Sequence, residues 1–210
     1  MFDRNNIEDI RPLNQTQKSI LISHIKEPDE QSYIHHLCFD IKGEFNIDYF
    51  QEAYSCLIQK YSVLRSVLLY QNIQKPVLVV MKSREDKMAC IRADAKSVEE
   101  VTEELLLKEN KKLSKLESIF LFDIAVIVPE ANEAMSRIIF SFHHIILDGW
   151  SLGLLISELF NIYHGLGQDN FQIAREEFGY KNYLNWRKKN EIEEVSSSIR
   201  TILELSLIHI

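Results

Sequence analysis

Two adjacent histidines stand four and five residues before an Asp-Gly step in the stretch SFHHIILDGWS, Ser141 to Ser151. Imidazole is the side chain whose ordinary proton exchange falls nearest neutral pH, at about 6.5, so a histidine held at an accessible edge can serve as a base. The sequence around the pair reads as a strand (IIFSFHHI), a tight turn (LDG) and a helix start (WSLGLLISEL). Such junctions present side chains and helix N-terminal amides at the edge of a sheet. Gly149 is expected to permit a turn that residues with a Cβ resist, and to let a substrate approach the main chain. If the strand persists through the pair, His143 and His144 point opposite ways, one into a pocket and the other into the body of the domain. Asp148 has a plainer reading as well, as the cap of a helix beginning near Ser151.

A near-copy, HHLCFDI, occupies His35 to Ile41 with the same spacing but with isoleucine where the glycine would stand. There the alternation continues through Asp40 and Ile41, so nothing forces the chain to leave the strand. This copy reads as strand residues without chemistry. A metal site fits neither pair: opposed strand faces make His143, His144 and Asp148 poor co-ligands, and no HExxH or cysteine cluster is present. Nor does a GxSxG nucleophile elbow occur. The residues alone point to a single histidine acting as a base at a sheet edge.

The elements that must position it follow from periodicity. Leu13–Ile25 reads as a helix capped by Asn14, and Tyr33–Ile41 as a strand, with Tyr33, His35, Leu37, Phe39 and Ile41 on one face. Asn46 caps a helix carrying Ile47, Phe50, Tyr54, Leu57 and Ile58 at helical spacing. Val63–Tyr70 and Pro76–Met81 form one expected hairpin, and Ile119–Val128 with Met135–Phe142 a second. Ser97 and Glu100 make a capping-box pattern for a helix to about Leu113. Further helices are expected over Ser151–His164 and Glu177–Lys189. Together they predict an α/β fold, a mixed β-sheet with helices packed on it.

The chain has 210 residues, 46% of them hydrophobic and 26% charged, with a net charge of −7. That composition suits a globular domain with a sizeable core. The acidic balance, without a basic stripe, argues against nucleic acid as a partner. Apolar runs stop short of membrane-span length, which argues against a membrane role. Cys38, Cys56 and Cys90 are scattered and odd in number, so they read as idle thiols in a reducing cytoplasm.

HHIILDGWS resembles the HHxxxDG motif of the condensation domains of nonribosomal peptide synthetases, relatives of chloramphenicol acetyltransferase. Three further stretches resemble family motifs in the family's order. LNQTQKSIL is similar to SxAQxRLW, with Asn14, Thr16 and Ile20 in place of Ser, Ala and Trp. KYSVLRSVL is similar to RHExLRTxF, keeping Leu64 and Arg65 but carrying Tyr61-Ser62 for His-Glu. YKNYLNW, Tyr180 to Trp186, is similar to YxDxAxW, with Asn182 for Asp. The likeness spans Ile10 to Arg187.

The resemblance implies a chloramphenicol acetyltransferase-like N-terminal lobe over residues 1–190, a two-layer sandwich of mixed β-sheet and helices, and a second lobe, absent here, that closes a tunnel. Residues 191–210 then read as a truncated or non-native tail. It implies amide-bond formation between a donor acyl or peptidyl thioester and an acceptor aminoacyl thioester on carrier proteins. Their phosphopantetheine arms are supplied with the substrates, and no cofactor is held tightly. His144 becomes the base or amine-positioning residue. His143, Asp148, Gly149, Trp150, Ser151 and Arg65 become motif and supporting residues, with Asp148 paired to Arg65. Trp150 fits peptide-forming members better than epimerising ones, and His143 argues against the cyclising subfamily. Adjacent synthetase domains are implied as partners, and the isolated lobe is expected to be inactive. Two alternatives stand beside this reading: a free-standing acyltransferase using coenzyme A or forming esters, and a non-catalytic lobe that docks a carrier.

Overall fold

A computed structural model describes residues 4–27, 31–93, 97–129 and 135–168. The chain divides into two compact units, 1–173 and 174–210, and every described residue belongs to the first. The expected helix Glu177–Lys189, the Tyr180–Trp186 motif and the tail after Asn190 lie outside the described residues. The elements run β1 (Ile7–Pro12), α1 (Gln15–Lys26), β2 (Ile34–Lys42), α2 (Ile47–Lys60), a 3-10 turn (Ser62–Arg65), β3 (Ser66–Leu69) and β4 (Val77–Met81). They continue with β5 (Ala89–Ala93), α3 (Val98–Leu113), β6 (Phe122–Pro129), β7 (Met135–His143) and α4 (Gly149–Leu166). The architecture is mixed α/β, as expected. One sheet has the order β1-β4-β3 and is antiparallel. The other has the order β2-β7-β6-β5, antiparallel except for the parallel pair β5–β6.

Each expected cap forms. Asn14 and Gln17 close a reciprocal capping box on α1, and Ser97 and Glu100 another on α3. Asn46 accepts from the Tyr49 amide at the start of α2. These side chains satisfy amides that the first helical turn leaves without partners. Both expected hairpins are antiparallel pairs, although Ser62–Arg65 is a 3-10 turn rather than the start of β3. Two strands escaped the sequence. β1 alternates with polar residues, and β5 is a short, mostly exposed edge strand, so neither carries an apolar run.

The larger sheet is covered on one face by α2 and α4, where Phe50, Tyr54, Leu57, Leu155 and Leu159 meet Phe122, Ile124, Ile138 and Phe140. On the other face Val101 and Leu105 of α3 pack on Ala125, Ile127 and Ile139. Each such side chain, fully buried, contributes about 1.5–3 kcal/mol of transfer free energy. The two sheets are tied together by Arg84, whose guanidinium donates to the carbonyls of Leu64 (3.1 Å) and Phe122 (2.7 Å) and pairs with Asp86 and Asp123. Burial this deep is tolerable for an arginine because its donors find acceptors.

A third packed seam lies between α1 and the end of β7. Leu13, Leu21, Leu121 and Ile145 fill it. Three polar side chains are buried with them: Gln17, His24 and His143. Gln17 accepts from its own cap amide through Oε1 and donates through Nε2 to the carbonyl of Ile145, both at 3.0 Å. His143 is only 1% exposed, and its ring meets that of His24 edge-on at 6.1 Å. Burial above all, then the neighbouring imidazoles of His24, His144 and His35, push its pKa down to about 3. His24 is pushed down by burial as well.

The consequence for stability has a definite sign. The unfolded chain takes up a proton on His143 at about pH 6.5, whereas the folded protein refuses it until about pH 3. Stability is therefore full above the unfolded value and is lost on acidification between those two, by ~1.4 kcal/mol per pH unit for this group. Urea unfolding from pH 7.5 to 4.5 should show His143→Asn losing stability less steeply than the native sequence, by about one proton's worth of slope. Equal slopes would contradict the assignment. Gln17→Leu leaves the Ile145 carbonyl buried without its donor, and should cost about 1–3 kcal/mol in the same assay at neutral pH.

Candidate functional site

β7 ends at His143, and the chain turns because the backbone at that point is held from three directions. The His143 amide donates to the Leu121 carbonyl (2.9 Å) and the His144 amide to the Tyr33 carbonyl (2.7 Å). The Ile146 amide then closes the turn onto the His143 carbonyl at 3.1 Å. Inside the turn the Ile145 amide donates to Nδ1 of His143, also at 3.1 Å. An amide can only donate, so Nδ1 of His143 carries a lone pair and its proton sits on Nε2.

His144 has the opposite arrangement. Its Nδ1 lies 2.7 Å from the carbonyl oxygen of Leu147. A carbonyl can only accept, so Nδ1 carries the proton and the lone pair of a neutral ring is on Nε2. The ring is half-buried, and its Nε2 makes no hydrogen bond among the described residues. Although the strand ends at His143, the two adjacent histidines still point opposite ways: one sealed in the α1 seam, the other at the surface with an available lone pair. His144 can accept a proton from a group brought to it, which is general-base geometry.

α4 starts five residues on from the pair. Asp148 is its N-cap, accepting from the Ser151 amide at 2.7 Å, and that bond holds its carboxyl below the usual carboxylate range. Its plainer sequence reading is therefore its observed role. The expected Arg65–Asp148 pair does not form. Arg65 is buried on the 3-10 turn, where Nη1 donates to the Met81 carbonyl and forms an ion pair with Glu8, each at 3.0 Å. Asp148 is instead exposed and turned back onto its own helix. Removing Arg65 would free the Met81 carbonyl and Glu8, not a buried aspartate.

Gly149 also differs from expectation. It opens α4 in ordinary helical backbone, and a Cβ built there would meet nothing within 4 Å. No turn requires glycine at this position, and the helix end it occupies is exposed and open. Trp150, 81% exposed, projects outward on the same helix end, and Ser151 supplies the capped amide.

The second histidine pair is beside the first. β2 pairs with β7 so that His35 lies opposite Phe142 and His36 opposite Ser141. His36 is bonded to Ser141 Oγ (2.8 Å) and Asn110 Oδ1 (2.9 Å), fastening the sheet to α3. Asp40 takes a two-pronged ion pair from Arg137 at 2.7 and 3.1 Å. Those two are strand residues without chemistry, as read from the sequence. His35 is not accounted for in that way: its ring stacks on Phe142 and meets the edge of His144, with centroids 4.8 Å apart. Local sequence could not show this, because it depends on pairing across more than a hundred residues. Gln17 was likewise missed, although its place in LNQTQKSIL now has a physical reason in the Ile145 carbonyl. Among the described residues no three His, Cys, Asp or Glu side chains gather as metal ligands, and no helix is long and apolar enough to cross a membrane.

Comparison with known proteins identifies the fold and the family. Over residues 7–198 the chain matches the family model described as Condensation domain. It is 28% identical over 194 residues to surfactin synthase subunit 3 of Bacillus subtilis (strain 168), covering 90% of this chain and 15% of that protein. It is 30% identical over 196 residues to tyrocidine synthase 3 of Brevibacillus parabrevis, covering 92% of this chain and 3% of that protein. The chain thus spans a small part of the synthases it matches. Among solved structures, the first condensation domain of the CDA synthetase superposes with a TM-score of 0.68 at 16% identity, over 87% of this chain and 46% of that one. The starter condensation domain of rhizomide synthetase gives 0.69 at 17% identity, over 90% and 47%. The turn that exposes His144 is therefore carried on the fold of those domains, and the chain belongs to the condensation-domain family of nonribosomal peptide synthetases.

Proposed function

We propose that this chain is the N-terminal lobe of a condensation domain whose parent joins a donor acyl or peptidyl thioester to an acceptor aminoacyl thioester. The observation that carries the reading is the fixed ring of His144, with Nδ1 bonded to the Leu147 carbonyl and Nε2 without a hydrogen bond among the described residues. The acceptor amine attacks the donor carbonyl carbon, a C–N bond forms and the C–S bond breaks. His144 Nε2 takes the proton that the nitrogen loses, and that proton then goes to the departing thiolate. A hydrogen bond from the same nitrogen, once protonated, also favours the charge on the tetrahedral intermediate. Both thioesters arrive on carrier proteins through phosphopantetheine arms, which are part of the substrates. A second lobe and neighbouring synthetase domains complete the unit, and the isolated chain turns over nothing.

His144→Ala in the intact parent should lower the rate of dipeptidyl transfer between loaded carriers by ~10²–10⁴. Undiminished product would reject the role. Gly149→Ala separates space from folding. Alanine is the better helix former, so the thermal midpoint should hold or rise slightly. Turnover in the parent should fall by ~10–100-fold if a reacting group passes that point. An active alanine variant would remove the argument from Gly149.

A further inference from the structure

The second histidine pair leaves one member without a structural task. His36 and Asp40 are held by Ser141, Asn110 and Arg137, and they face away from the site or along the strand. His35 is exposed, and neither of its ring nitrogens makes a hydrogen bond among the described residues. The β2–β7 register places it directly across from Phe142, whose ring it stacks on at 5.7 Å. From there it reaches past the strand end to His144, edge-to-face at 4.8 Å with an interplanar angle of 85°. Phe142 itself meets His144 nearly perpendicularly at 6.3 Å. The imidazole of His144 is therefore held by a hydrogen bond through Nδ1 and by two rings at its flank.

We propose that His35 is a positioning residue for His144, a ring braced against it from the neighbouring strand so that Nδ1 stays on the Leu147 carbonyl and Nε2 faces outward. The proposal rests on the reading of His144 as the reacting base. Its chemical logic is that a base with a freely turning ring presents two different nitrogens, whereas a braced one presents a single lone pair at a fixed point. Although exposed, His35 is pushed below the ordinary histidine range, first by the partial loss of solvent around its ring and then by His144 and His36. The titratable groups acting on it are histidines, His144 beyond the end of β7 and His36 on its own strand, and it acts in turn on His143.

Ring 15N NMR on the complete 210-residue chain tests this without any turnover. In the native sequence His144 should show one tautomer, protonated at Nδ1. His35→Phe, which keeps a ring against it, should preserve that signature, and His35→Ala should move both nitrogens toward averaged values. A residue important only for folding would not shift the tautomer of a neighbour. If His35→Ala does not fold, as judged by amide dispersion, the reciprocal measurement decides. The titration midpoint of His35 should rise in His144→Asn, because the neighbouring imidazole is one of the causes that hold it down. An unchanged tautomer in folded His35→Ala, or an unmoved midpoint in His144→Asn, overturns the proposal. In the intact parent, His35→Ala should lower kcat by ~10-fold with KM little altered, and His35→Phe should recover most of it. Should His144→Ala leave transfer intact while the tautomer result holds, the base reading fails and the brace stands as a structural fact.

Discussion

The site depends on a buried, uncharged imidazole. His143 occupies the last position of β7, out of water, and its Nδ1 takes the amide of Ile145. That amide lies where the chain reverses, and without an acceptor it would be a buried donor with no partner. Because the ring supplies the acceptor from within the turn, the next residue leaves the strand with its side chain on the opposite face. The neighbouring backbone then follows: Tyr33 receives the His144 amide, Gln17 caps the Ile145 carbonyl, and Leu147 receives the His144 ring. One histidine is spent on architecture so that the other is available for chemistry, and the two hold their protons on opposite nitrogens.

This arrangement gives different physical meanings to the residues of one motif. His143 acts through burial and acceptor geometry. Asp148 begins α4 and has no contact with Arg65, which fastens the 3-10 turn to β1 and β4 through Glu8 and Met81. Gly149 contributes the absence of a side chain rather than an unusual backbone. A motif read as a list of reacting groups would assign chemistry to each; the coordinates give an open lone pair to His144.

Much of this was legible in the sequence because it is local. Helix caps are decided within three residues, so Asn14, Asn46, Ser97 and Asp148 were all readable. Alternation marked β2 and β7 and the opposed directions of His143 and His144, while the choice of His144 for the site came from the family motif. The rest is set by distant partners. β1 and β5 carry no apolar run of their own and exist as strands because β4 and β6 offer them hydrogen bonds. Arg65 finds its acceptors on β4 and β1, which no spacing rule reveals. His35 reads as an idle strand residue until β2 is laid beside β7.

That pairing runs without a bulge through nine consecutive residue pairs, from Ile34–His143 to Lys42–Met135. Side chains on a strand alternate, so sliding β2 by one position exchanges its two faces. Inserting one residue near the middle of β2 would thus force a choice between burying Leu37 and Cys38 on the wrong sides and throwing Phe39 and Ile41 out of the α2–α4 core. The length of this strand is as tightly constrained as the identity of any residue in the histidine turn, and homologous chains should vary in length at the loops around Gly43 and Asn72 instead.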